Sequence, residues 1–135
     1  MSERELTLDL PGADLPGAGD PVITDVIAGA LASIDSVLPG ASSQAASALG
    51  IEAGAEQLLL ILVDGLGYEL IQDHLGHTPT LRRVRDDIRS IHTVVPSTTA
   101  AAITAFGTGA RPGATNMVGF SVAYGGGVMN LLAME

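Results

Sequence analysis

Six consecutive aliphatic residues, Leu58 to Val63, run without a polar interruption and stop at Asp64-Gly65. A short, wholly apolar run bounded by turn residues suits a strand covered on both faces, as in a parallel sheet, and is far too short for the roughly 20 residues that cross a bilayer. Asp64 is then expected where that strand ends. The surrounding chain has 135 residues, 47% of them hydrophobic, which is one domain's length and enough apolar material for a core. With 17 Gly, two Phe, two Tyr and no Trp, that core has to be aliphatic and Ala-rich, as in helices packed closely on a sheet. The expected fold class is α/β, with a mostly parallel central sheet flanked by helices.

The charge divides near residue 57. Residues 1–57 carry nine acids and one Arg, and residues 58–135 carry six acids and five Arg. Residues 1–20, with Pro11 and Pro16 and little periodicity, read as a flexible lead-in. Residues 21–57 read as an N-terminal helix followed by an Ala/Ser/Gly-rich connection. Val22, Ile23, Val26, Ile27, Leu31, Ile34 and Leu38 recur at helical spacing, with Asp20 as N-cap and Pro39-Gly40 as stop. Residues 58–135 read as one α/β unit. After the apolar run come two short helices, Tyr68 to Leu75 and Pro79 to Asp87, the second capped by Thr78, and then a strand over Ile88 to Val95. Pro96 closes that strand, Ser97 to Thr99 offers N-caps, and Ala100 to Phe106 is a small-residue helix ending at Gly107 or Gly109. Phe120 to Tyr124 and Val128 to Leu132 read as strands around Gly125 to Gly127. The chain ends inside an apolar segment, so the domain is expected to be incomplete.

Composition excludes several function classes. A net charge of -9 argues against a surface for nucleic acid or anionic lipid, and no nucleic-acid duplex or membrane is expected as partner. There is no Cys, so a metal must be held by His, Asp or Glu. All six basic residues are Arg, which removes any Lys-dependent phosphate loop and any Schiff base. The acidic start lacks the basic region of a secretory signal, so a cytoplasmic location is expected.

The two strand–turn–helix units place Asp64 and the Ser97-Thr98-Thr99 cluster at the carboxyl ends of strands, where open α/β sheets collect ligands. A hydroxyl at a helix N-terminus sits beside free N–H groups and the positive end of the dipole, a setting for attack on an anionic phosphorus centre. A neighbouring carboxylate could hold a divalent ion. The same residues also serve ordinary turns and helix caps, and pattern alone leaves both open.

The wording of these segments carries more. Leu-Ile-Leu-Val-Asp-Gly-Leu-Gly (60–67), Val-Pro-Ser-Thr-Thr-Ala-Ala-Ala-Ile-Thr-Ala-Phe-Gly-Thr-Gly (95–109), and Arg-Pro-Gly followed by Val-Gly-Phe resemble the opening of the alkaline phosphatase superfamily. The likeness is to its nucleotide pyrophosphatase/phosphodiesterase members and runs from about residue 58 to 135. It implies an alkaline phosphatase-like fold, incomplete in this chain, and metal-dependent hydrolysis of phosphate mono- or diesters or nucleotide pyrophosphate bonds. By that resemblance Asp64 is a ligand of one of two divalent metals, usually zinc. Thr99 is the nucleophile that forms a phosphothreonine and also touches metal. The substrate is a small phosphorylated or nucleotide molecule.

Two departures accompany the match. Where many members have an Asn three residues after the nucleophile, this chain has Ala102, so oxyanion donors must come from backbone groups such as the Ala100 N–H or from elsewhere. The His-Gly of the next loop is replaced by Thr115-Asn116. The family's remaining metal ligands lie far downstream of the nucleophile, whereas His74, His77 and His92 all precede Thr99. This chain alone is therefore expected to hold metal poorly and to act only within a longer one. The alternative is a non-catalytic truncated remnant or a nucleotide/anion-binding module.

Other features read as structural. His74 and His77 suit surface imidazoles, and His92 a packed or hydrogen-bonded position in the second strand. Arg82, Arg83, Arg85 and Arg89 lie among Asp86 and Asp87 on what reads as a solvated helix face. Gly65-Leu66-Gly67 lacks the third Gly of a dinucleotide fingerprint, because position 70 is Leu.

Overall fold

The computed structural model describes residues 16–17 and 19–131, so most of the predicted lead-in and the end of the last predicted strand lie outside the described residues. Six helices come first in chain order: α1 (Asp25–Ile34), α2 (Ser43–Leu49), α3 (Tyr68–His74), α4 (Pro79–Arg83), α5 (Thr99–Thr108) and α6 (Pro112–Thr115). Two strands follow, β1 (Ser121–Tyr124) and β2 (Gly127–Asn130). Short 3-10 turns follow α3 at Leu75–His77 and α4 at Arg85–Asp87, so the helix expected over Pro79 to Asp87 is α-helical only as far as Arg83.

The helix expected after Pro21 starts later, and Asp20 is not its cap. The Asp20 carboxylate instead accepts the Gly17 N–H at 2.8 Å, while Asp25, in the first turn of α1, accepts the Val22 N–H at 3.0 Å. An acidic group there also faces the positive end of the helix dipole. Residues 40–57 hold a true helix, α2, whose start is capped by Ser42 accepting the Ala45 N–H at 3.1 Å. The two helices pack closely, with Gly29 of α1 against the Ala46 backbone of α2. The buried Ser33 donates its hydroxyl to the Ala30 carbonyl. Its own carbonyl accepts the Gly54 and Ala55 amides at 2.8 and 2.9 Å, which fixes where the chain leaves α1 and α2 for Leu58.

The mostly parallel central sheet is absent among the described residues. Their sheet is the antiparallel hairpin β1–β2, in register Ser121↔Asn130 to Tyr124↔Gly127, with Gly125 and Gly126 turning at positive φ. Leu58 to Val63 form no strand; each is between 40% and 82% exposed, and no backbone hydrogen bond joins them to another described residue. The physical reason is the absence of a neighbour. A strand is held by ladder bonds and by burial of its side chains, about 1.5–3 kcal/mol for each Leu, Ile or Val fully covered. Neither is on offer at this run, and its composition cannot substitute for them.

The second predicted strand, Ile88 to Val95, survives as one parallel bridge between His92 and Val22. The Ile23 N–H donates to the His92 carbonyl at 2.8 Å, and the His92 N–H to the Pro21 carbonyl at 2.9 Å. Residues 21–23, read from sequence as the start of a helix, are thus taken by this pairing. It brings Val94 onto α5, where Val94, Ala101 and Ala105 form a buried cluster with Ile23 and Ala102 at its margin. Ala101 and Ala105 stand four apart on one face of α5, so small side chains let the helix lie close against this segment.

Candidate active site

Helix α5 begins where the sequence offers three hydroxyls, and the middle one is the cap. Thr98 has extended backbone angles and accepts the Ala101 N–H at 3.3 Å, while the Ala102 N–H bonds the Thr98 carbonyl at 2.8 Å. The run of Ala that follows favours helix, and Gly109, left-handed at φ 67°, ends it. Thr99 is therefore the first residue of α5 and half-buried. The amides of Thr99 and Ala100 donate to no acceptor among the described residues, which leaves two N–H groups free at the positive end of a ten-residue helix.

Asp64 reaches this helix start across 35 positions of sequence. The Thr99 hydroxyl donates to Asp64 Oδ2 at 3.3 Å, a long hydrogen bond between an exposed carboxylate and a half-buried hydroxyl. Asp64 stands on a turn with Gly65, whose φ of 74° is a left-handed conformation that other residues adopt only at a cost of roughly 1 kcal/mol or more. Nothing lies within 4 Å of a Cβ built on Gly65, so that cost is purely conformational. Gly65→Ala is expected to lower stability by about 1 kcal/mol and Gly65→Asn by less, measured by urea unfolding. Equal midpoints for all three proteins would show that the turn does not need the glycine.

The other residues singled out from sequence lie elsewhere. Thr108 works at the end of α5, donating to the Thr104 carbonyl at 2.6 Å and accepting the Ala110 N–H at 3.2 Å. Ala102 packs at the margin of the buried cluster. Asn116, at φ 57°, terminates α6, and the Thr115 hydroxyl accepts the Met117 N–H. His74 and His77 are exposed, His74 Nδ1 lies 2.9 Å from the Leu70 carbonyl, and His92 Nε2 lies 3.8 Å from Asp20. Arg85 pairs with Asp86 in solvent, as a solvated face requires. A cavity of about 770 Å³ opens between α1, α2, residues 93–95 and α6, but neither Asp64 nor Thr99 lines it.

One contact had no signal in the sequence. The Thr98 hydroxyl, besides capping α5, donates to the Val118 carbonyl at 3.1 Å. The N-cap rule could pick Thr98 from its place three residues before Ala101, but nothing in the spacing points to residue 118.

The carboxylate and hydroxyl are hard oxygen donors of the kind a divalent ion takes. They are too few for a zinc site, which needs at least three protein ligands, and no group of three or more His, Asp or Glu that could hold a metal occurs among the described residues. No helix among them is long and apolar enough to cross a membrane.

No curated protein and no solved structure matches the chain at a significant level. A family model does, over residues 58–126, a span that contains the exposed apolar run, Asp64, all of α5 and the loop to β1. On that match, which covers just over half of its length, the chain belongs to the type I phosphodiesterase/nucleotide pyrophosphatase family.

Proposed function

We propose that this chain carries the nucleophile-bearing part of a phosphohydrolase that cleaves phosphate mono- or diesters or nucleotide pyrophosphate bonds through a phosphothreonine at Thr99. Membership in a metal-dependent family that acts on phosphorylated substrates supplies the reaction class. The observation that carries the site is the 3.3 Å hydrogen bond from the Thr99 hydroxyl to Asp64, made at a helix start with two unengaged amides.

The chemistry follows from that placement. Thr99 Oγ1 forms a bond to phosphorus as the bond from phosphorus to the leaving oxygen breaks, and the leaving group departs with that electron pair. The hydroxyl proton is released to solvent water as that bond forms, while Asp64, which accepts the hydroxyl's hydrogen bond, stays a carboxylate and keeps Oγ1 in place. The free amides of Thr99 and Ala100 face the charge that grows on the phosphoryl oxygens. Water then attacks the phosphothreonine, the bond from phosphorus to Oγ1 breaks, and Oγ1 leaves with that electron pair and takes up the proton that the attacking water releases. Asp64 and Thr99 are also the residues that would face a divalent ion, zinc by resemblance, but by themselves they do not complete its site.

Acid-quenching the full protein during turnover of bis(4-nitrophenyl) phosphate, followed by peptide mass spectrometry, is expected to find phosphate on Thr99. Turnover with no phosphorylated Thr99 would sink the covalent mechanism. Binding of nucleotide in chelator without any phosphorylation would favour the anion-binding alternative, which uses the same free amides.

A further inference from the structure

We infer that Thr98 is a positioning residue that holds Thr99 toward Asp64 by tying the first turn of α5 to the loop ahead of β1, an inference that rests on the phosphothreonine reading. A residue that only caps a helix needs an acceptor. Thr98 uses its hydroxyl in both senses, accepting the Ala101 N–H at 3.3 Å and donating to the Val118 carbonyl at 3.1 Å. The second bond spans 20 positions and reaches a loop fixed at both ends. Asn116 ends α6 in a left-handed conformation, and the Leu131 N–H donates to the Phe120 carbonyl at 2.7 Å.

Thr99 follows Thr98 directly, so the orientation of its hydroxyl depends on the angles at which the helix begins. The bond to Asp64 is already long at 3.3 Å and Asp64 sits on an exposed turn, so a small rotation of the first turn is enough to break it. The capping bond alone fixes the hydrogen bonding of α5 but not its tilt against the rest of the chain. The link to Val118 supplies the outside reference.

The test compares Thr98→Ala, Thr98→Ser and Thr98→Gly with wild type and Thr99→Ala in the full protein, using bis(4-nitrophenyl) phosphate with added zinc chloride. Ser keeps both hydroxyl bonds and is expected within about threefold of wild-type kcat, whereas Ala is expected to lose about 10- to 100-fold in kcat with KM unchanged, the scale of a small misplacement of a reacting group. Gly retains most of the stability of a cap, so its thermal midpoint stays near wild type while its kcat falls with that of Ala. Wild-type kcat in Thr98→Ala, or a Ser variant as impaired as Ala, overturns the inference while leaving the phosphothreonine reading intact. Wild-type turnover in Thr99→Ala, or no turnover in wild type, overturns that reading and this inference with it.

Discussion

Replacing Thr99 by Ala is expected to lower kcat of the full protein by on the order of 10⁴ or more, because removal of a covalent nucleophile leaves only binding and oxyanion contacts to act on the substrate. Asp64→Asn is expected to cost less, about 10²-fold, since the amide keeps a polar contact with the hydroxyl but holds a cation less strongly than a carboxylate does. The two losses separate on titration with divalent metal. Excess metal restores part of the turnover of Asp64→Asn and none of that of Thr99→Ala. Thr99→Ser retains a hydroxyl at the first position of α5 and is expected to retain measurable turnover and to form phosphoserine. Full activity in Thr99→Ala, measured with the same substrate and metal, would remove Thr99 from the mechanism altogether. The Thr99 and Asp64 side chains touch one another at the start of α5, and neither belongs to the buried cluster among the described residues, so neither substitution should change stability by more than about 0.5 kcal/mol.

How far the chain could be read in advance depended on whether its signals were local. Helix α5 was legible because its determinants lie within a dozen residues: a hydroxyl cap, a run of Ala and a left-handed Gly109. The β1–β2 hairpin was legible for the same reason, with adjacent glycines between two apolar runs. Wording and spacing single out Asp64 and Thr99, and the hydrogen bond between them is a fact that spacing alone does not contain. Leu58 to Val63 shows the opposite case. Its composition carries the expectation of a strand buried on both faces, but burial is a property of neighbours, and among the described residues none pairs with it. Residues 21–23 failed for a related reason. Their apolar spacing fits a helix, yet two backbone hydrogen bonds to His92 take them first, and no local rule weighs a partner about 70 positions away.

Gly29→Val is expected to be the most destabilising of the single changes outside the site. A Cβ on Gly29 would lie 3.0 Å from the Ala46 nitrogen, 3.1 Å from its Cα and 3.1 Å from Leu49 Cδ1. The Leu49 tip can swing away, but the Ala46 backbone can move only with the whole of α2. That helix is held by the Ser42 N–H to the Ala28 carbonyl at 2.9 Å and by the Ile51 N–H to the Ala46 carbonyl at 2.8 Å. Ala at position 29 gains about 1 kcal/mol of helix propensity over Gly, which roughly offsets the strain of one tight Cβ, so Gly29→Ala should lie near wild type. Val adds two methyl groups in the same gap and gains less propensity, for a net loss of about 2–3 kcal/mol, or roughly 8–12 °C in the thermal midpoint of a chain this size. Circular dichroism melts of the three proteins decide it, and a Val variant that melts with wild type would mean that α1 and α2 are not packed at Gly29. α1 follows directly on residues 21–23, whose pairing with His92 brings Val94 onto α5. Loosening α1 should therefore also speed amide exchange at Ala101 and Ala105, and a melt that moves without that change would place the two helices in a separately unfolding unit.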